Sequence, residues 1–359
     1  MPIINYKLNR LTKSIEVSRE KLKEFLTSQG IEAEEHYTLR KLIRLIPTKK
    51  IYPQRLSNNL YGHTSVGLFV NDVLITGGAR DKNNVLNDNF ILSIDKNIKT
   101  NKLSLDLGRQ KHTAVKIDDN NVLFSGGVES GIGDGSRINK HQQFNINSNT
   151  FTNKTVLPSS AERHSGCLIG NNVYYLGGVF GGGWGNMLNA HYEYSISTNT
   201  FTNKATFGGY AGQTVVKINN NSYILFGGQT NPHSVVANYC KIYNVNNNTF
   251  TNKTSLSESR STLTSIDLKN GTILISGGFK TLHAKSNKNE IYNINANNYT
   301  AKANLNPSRS DHSAVYLGSG GALIGGKASL SSEEVVGTPL NLMEFYNYYD
   351  NAFYKAGDN

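Results

Sequence analysis

Six Gly-Gly pairs restrict this chain to very few architectures. They stand at Gly77–Gly78, Gly126–Gly127, Gly177–Gly178, Gly227–Gly228, Gly277–Gly278 and Gly325–Gly326, so that the first glycines follow one another at steps of 49, 51, 50, 50 and 48 residues. A period near fifty means one supersecondary unit used six times, each copy hiding its apolar face against its neighbours. Glycines in pairs, at the same place in every copy, mark a backbone approach that leaves no room for a side chain.

Each period has the same internal order. An apolar strand opens with His or a hydroxyl residue, as in HTAVKI (His112–Ile117) and HSGCLIG (His164–Gly170). A short turn rich in Asn, Asp or Gly follows, and a second strand such as VLFSGG or VYYLGG runs into the glycines. A variable loop leads to a third, alternating strand (HQQFNIN, HYEYSIS, CKIYNVN). After another Asn-rich turn comes a fourth strand: NTFTNKT at Asn149–Thr155 and again at Asn248–Thr254, NTFTNKA at Asn199–Ala205, and the worn copy NYTAKA from Asn298. Four short strands joined by tight turns make one antiparallel blade, and six such units make a six-bladed β-propeller, an all-β fold. The aromatic residues Phe151, Phe201, Phe250, Tyr299 and Phe353 suit packing between blades, and the Asn-Lys pair suits a solvated outer edge. The last blade takes its fourth strand either from FYKAGDN at the end of the chain or from KIYPQRL at Lys50–Leu56.

This pattern resembles the kelch-repeat family over roughly residues 60–356, through the six Gly-Gly pairs, the third-strand aromatics Phe144, Tyr194, Tyr243, Tyr292 and Tyr346, and the Arg/His pairs Arg109/His112, Arg163/His164 and Arg309/His312. It departs in the fourth strand, where the family's usual Trp is Phe or Tyr, or Ile98 in the first unit. The resemblance implies a propeller and no particular activity.

The chain divides into residues 1–49 and the propeller at 50–359. VSREKLKEFLTSQG places Val17, Leu22, Phe25 and Leu26 mostly at helical spacing before Gly30; TLRKLIRLIP offers Thr38 as N-cap, Leu39, Leu42, Ile43 and Ile46 on one face, and Pro47 as a stop. Two such short helices have too little core to stand alone. The segment resembles short helical segments of phage tail and fibre proteins, on Leu22, Leu26, Gly30, Ile31, Thr38, Leu39, Leu42, Ile43 and Ile46. That resemblance implies an anchor that docks into other virion proteins.

The net charge is +11, and residues 1–50 carry 11 Lys/Arg against 6 Asp/Glu. The remaining excess is scattered, much of it in the Asn-Lys pairs, which argues against nucleic-acid binding. No run of about eighteen apolar residues points to a membrane span. Cys167 and Cys240 lie far apart in apolar strands, so buried thiols are expected and no zinc or redox pair. No metal or other cofactor is expected.

In such a blade the loops after the second and fourth strands share one face, and the longer loops lie there, which makes it the functional face. Trp184, the sole Trp, sits between Gly183 and Gly185 in one of them. It is a candidate platform for a sugar ring or a partner side chain. His233 is a second loop candidate. Arg109, His112, Arg163, His164, Arg309 and His312 recur at the start of the innermost strand and would ring the channel mouth. A basic, imidazole-rich mouth favours acidic ligands such as sialic-acid-like or phosphorylated sugars; a residue repeated in most blades is otherwise scaffold. The acidic loop residues Glu129, Asp134, Glu162, Glu258 and Asp311 show no pairing in sequence, and no sialidase-type S-x-D-x-G-x-T-W box occurs.

The sequence therefore reads as a non-enzymatic virion component, tail- or fibre-like, assembled in a host cytoplasm. Its helices would join other subunits, and its loop face would contact a glycan or protein receptor on a host surface. The alternatives are a cytoplasmic kelch adaptor for a protein partner and a sugar isomerase akin to the sialic acid mutarotases, which are also six-bladed kelch propellers.

Overall fold

The computed structural model describes Glu20 and residues 55–355, except 70, 82, 95, 130–135, 181–185, 232–234, 281–283, 319, 329–337 and 348–351. Apart from Glu20, the residues of the helical calls at 17–46 therefore lie outside the described residues, as do Trp184 and His233.

Six four-stranded antiparallel sheets follow one another along the chain, as expected for an all-β propeller. In the third, strand A (Ser165–Ile169) pairs with B (Asn172–Leu176), B with C (His191–Ser195), and C with D (Thr200–Asn203). The other five run from Thr64 to Asn101, Thr113 to Asn153, Thr214 to Asn252, Thr264 to Lys302 and Ser313 to Lys355. The A strands touch their neighbours in a closed cycle, the sixth lying against the first. Of the two sources for the last strand, the chain end supplies it: Ala352–Lys355 pairs with Met343–Asn347.

The core lies in the seams between blades. Val173, Tyr175 and Tyr194 of blade three pack with Val115, Leu123 and Leu157 of blade two, and Cys167 and Tyr174 with Tyr223, Leu225 and Tyr243 of blade four. B strands are buried on both faces, hence their continuous apolar runs. Each D-strand aromatic stands opposite the C-strand aromatic of its own blade, with ring centroids 4.8 Å apart for Phe151 and Phe144 and 4.9 Å for Phe201 and Tyr194.

The Gly-Gly pairs stitch seam to seam. Gly78, Gly127, Gly178, Gly228, Gly278 and Gly326 each donate N–H to a carbonyl just before the next blade's A strand: Arg109, Ala161, Tyr210, Arg260, Arg309 and Leu60. The last of these closes the ring. The same carbonyls crowd the first glycine of each pair, so a Cβ on Gly126 would stand 2.4 Å from the Ala161 oxygen, at φ +59°.

The repeated Asn of the fourth strand has two tasks. Asn199 turns the C–D hairpin at φ 56°. Its Oδ1 accepts from Tyr194 Oη of its own blade at 2.8 Å and from the Thr155 N–H of the preceding blade at 2.9 Å. Asn248 and Asn297 repeat both bonds. Asn199→Ala removes the one oxygen that accepts both hydrogen bonds and puts a Cβ residue without the side-chain compensation into the left-handed region; it should cost about 1–2 kcal/mol. Urea midpoints of the two proteins check this. A loss below about 0.5 kcal/mol would show that the clamp contributes little.

Candidate functional site at the channel mouth

The residue immediately before each A-strand His or its equivalent has positive φ: Gly62 (61°), Lys111 (54°), Arg163 (55°), Gly212 (66°), Thr262 (48°) and Asp311 (54°). Each donates its backbone N–H to the carbonyl of the same position in the preceding blade. The bonds run Lys111 to Gly62 (2.6 Å), Arg163 to Lys111 (2.9 Å), Gly212 to Arg163 (2.9 Å), Thr262 to Gly212 (2.7 Å), Asp311 to Thr262 (3.3 Å) and Gly62 to Asp311 (2.9 Å). A closed circle of six hydrogen bonds thus forms the rim. Four non-glycine residues hold the left-handed conformation there, which is sparsely populated and persists only where surrounding contacts enforce it. A cavity of about 160 Å³ opens on this circle, lined by the six rim residues with His63, His112, His164, Gln213, Leu263 and His312.

The rim is not uniform. Lys111, Arg163 and Asp311 put charges on blades two, three and six, while blades one, four and five contribute Gly62, Gly212 and Thr262. Glu162 braces the cationic arc: Lys111 Nζ lies 3.3 Å and Arg137 Nη2 3.0 Å from its carboxylate. Burial would raise the Glu162 carboxyl, but Lys111, Arg163 and Arg137 outweigh it and hold the acid down at about 2. Asp311 is also held below the usual carboxylate range, by Arg163, Lys327 and Lys111 against the opposing effect of burial. Arg163 lines the cavity together with Lys111. Its Nε is buried without a hydrogen-bond acceptor among the described residues, as are those of Arg80, Arg109, Arg260 and Arg309, so its distinction is its place on the rim. A guanidinium there, beside a lysine, suits a planar anion such as a carboxylate.

Two sets of sequence candidates lie elsewhere than expected. Arg109 and Arg309 are fully buried inside their own blades, not in the mouth. Arg109 Nη2 donates to Gln142 Oε1 at 2.8 Å and lies 3.4 Å from Asp106; Arg309 pairs with Glu344, as Arg260 does with Glu290. Spacing explains the difference. These arginines stand three residues before the A-strand His, or before Leu263 in blade five, whereas Arg163 stands one residue before His164. Where the earlier position is not Arg (Leu60, Ala161, Tyr210), the partner position in strand C is not Gln or Glu but Phe90, Tyr192 or Lys241.

His112, His164 and His312 do line the mouth, but as neutral struts. Each ring lies against the first glycine of the preceding blade: a Cβ there would come within 2.7 to 2.8 Å of Cε1. Their Nε2 atoms meet Thr64 Oγ1 (3.0 Å), Ser125 Oγ (2.9 Å) and Thr264 Oγ1 (2.9 Å). Burial pushes His164 and His312 down to about 3 and His112 well below its ordinary value. The imidazoles are therefore uncharged at neutral pH, and the positive charge on the cavity lining comes from Lys111 and Arg163, with Lys327 near enough to interact with both and with Asp311. Lys111 and Lys327 escaped the sequence reading. The signal that finds Lys111 is register relative to the histidine; for Lys327 it is the first position after each Gly-Gly pair. Of the acidic candidates, Glu162 and Asp311 belong to the mouth. Glu258 instead meets Lys280 (3.2 Å) and Ser286, and Asp134 lies outside the described residues. Among the described residues no group of three His, Cys, Asp or Glu side chains is placed to hold a metal ion.

No protein-family model matches the chain, and no curated protein matches it. A solved structure described as "Structure of YjhT" superposes with a TM-score of 0.70 at 14% identity, covering 84% of this chain and 98% of that one. At this identity the likeness shows the fold, a β-propeller. This finding corrects two expectations. The non-enzymatic virion component with a receptor-binding face is set aside, because the solved likeness is to this propeller and not to a phage structural protein. The expectation that the chain is no enzyme falls with it.

Proposed function

We propose that this protein binds an acidic monosaccharide of the sialic acid class at the channel mouth and speeds the interconversion of its anomers. The observation that carries the proposal is the pair of cations, Lys111 and Arg163, that line the cavity from adjacent blades of the rim. The carboxylate of the sugar would neutralise this arc, and the small residues Gly212 and Thr262 on the opposite arc leave room for the ring and its substituents. The six glycine-paired sheets support reading the repeats as kelch repeats, and the likeness to YjhT, a kelch-type sialic acid mutarotase, favours this reaction class among those a propeller can host. Ring opening needs a proton taken from the anomeric hydroxyl and one given to the ring oxygen, and Asp311 on the rim and Lys327 near it are ionisable groups close to the cations.

Anomer equilibration of N-acetylneuraminate followed by proton NMR tests the reading. The wild-type protein should shorten the equilibration time relative to buffer. Arg163→Met should weaken sugar affinity about 10- to 100-fold, the effect of losing one charge-assisted contact to a carboxylate. A wild-type protein that neither binds the sugar nor accelerates its equilibration would end the proposal.

A further inference from the structure

The six blades serve as an internal comparison, and one buried position breaks their pattern. The first residue after each Gly-Gly pair is Ala79, Val128, Val179, Gln229, Phe279 and Lys327. Five blades place a neutral residue there, and Ala79, Val128, Val179 and Gln229 are buried. In every blade the position pairs with the loop that leads into an A strand; Lys327 lies opposite Ser310. Blade six alone puts an amine on this spot. Departures from a repeat's own rule that bring no packing gain concentrate at functional sites.

The amine lies over an aromatic ring: Lys327 Nζ is 3.8 Å from the centroid of Tyr61, the residue next to the rim position Gly62. No carboxylate among the described residues lies within ion-pair distance of it. The ionisable groups that face it are Asp311, Lys111, Arg163 and Lys285, together with Tyr61 itself. Burial pulls its amine down from the ordinary lysine value to about 8; Asp311 opposes this, and Lys111, Arg163 and Lys285 add to it.

Resting on the mutarotase reading above, we propose that Lys327 is the proton-transferring group of the channel mouth. The neutral amine takes the proton of the anomeric hydroxyl as the bond between the anomeric carbon and the ring oxygen breaks. It hands the same proton to that ring oxygen, leaving an open-chain ketone and a neutral amine. Closure on the other face of the ketone reverses the steps, so atoms and charge balance without a co-reactant.

Three proteins test this: wild type, Lys327→Arg, which keeps the charge but holds its proton, and Lys327→Gln, which installs the residue blade four already carries there. Equilibration of N-acetylneuraminate is measured from about pH 6 to about pH 10, with buffer-only rates subtracted, and sugar affinity is measured in parallel by NMR titration. The wild-type rate should rise with pH through an inflection near 8. Both variants should lose about 100-fold or more in rate. Lys327→Arg should keep its affinity within a few-fold, which a merely structural defect would not allow. Competitive acetylation of the wild-type protein, read by mass spectrometry, should show Lys327 half-reactive near that same pH. A Lys327→Arg protein with the wild-type rate and inflection overturns the role of Lys327 and leaves the mutarotase reading standing. So does a Lys327 that acetylates like an ordinary surface lysine. A wild-type protein without acceleration overturns both.

Discussion

Acidification from pH 7 to pH 4 should unfold this propeller. His63, His164 and His312 are held down at about 3, His112 lies well below its ordinary value, and His141 and His191 sit at about 4, burial being the first cause in each. In the unfolded chain they titrate near 6.5. The unfolded state therefore binds more protons at every pH between these limits, so stability rises with pH across the window and falls as pH drops through it. The contribution is complete above about 6.5 and is lost progressively toward 3. At pH 4 each of His63, His164 and His312 favours the unfolded chain by roughly 3 kcal/mol, a sum comparable with the whole stability of a domain, and His112 acts in the same direction. Glu162, held at about 2 by its cations, adds to the loss only below the ordinary range of a glutamate. Urea midpoints from pH 7 down to about pH 4 give the curve, with His63→Gln/His112→Gln/His164→Gln/His312→Gln as the comparison. Gln is the residue blade four already uses at this place, where Gln213 Nε2 donates to the Leu176 carbonyl at 2.8 Å. The quadruple variant should show a much flatter curve. An unchanged slope would mean that other groups drive the acid transition.

Gly126→Ala should be the most damaging of the single substitutions considered, with a loss on the order of 4 kcal/mol. Two costs add. The residue holds φ +59°, which a Cβ penalises by about 1 kcal/mol or somewhat more. The new Cβ would also sit 2.4 Å from the Ala161 carbonyl oxygen and 2.7 Å from His164 Cε1. Neither can yield without parting blades two and three, and parting them breaks the 2.8 Å bond from Gly127 N–H to Ala161. Gly170→Ala isolates the first cost. Gly170 has φ +60° in the A–B turn, and a Cβ there meets nothing within 4 Å. It should lose only about 1 kcal/mol. Equal shifts of the urea midpoint for the two substitutions would show that the seam tolerates the methyl group and that the glycine pairs owe their place to backbone conformation alone.

What could be read in the residues and what could not divide along a physical line. The fifty-residue period, four strands per unit, the antiparallel pairing and the Asn-rich turns are local properties, set by alternation and by residues that accept positive φ. These gave the propeller, and the paired glycines announced a close backbone approach before its partner was known. The double task of Asn199 was only half visible: its turn is local, but the Thr155 amide it caps belongs to another blade, 44 residues away. At the mouth the sequence did less. It grouped Arg109, Arg163 and Arg309 as one ring, because all precede a histidine. A two-residue difference in spacing sends Arg109 and Arg309 into buried pairs with Gln142 and Glu344 and leaves Arg163 on the rim. The histidines line the cavity, yet burial beside the neighbouring blade's glycines removes the charge they were expected to bring. By itself, then, the sequence determined the repeat and the hairpins, because those depend on residues a few positions apart. Only the tertiary structure decided which repeated side chains meet in a seam and which face the channel. It also decided which of them remain charged, because the groups that settle those questions come from the next blade, about fifty residues away.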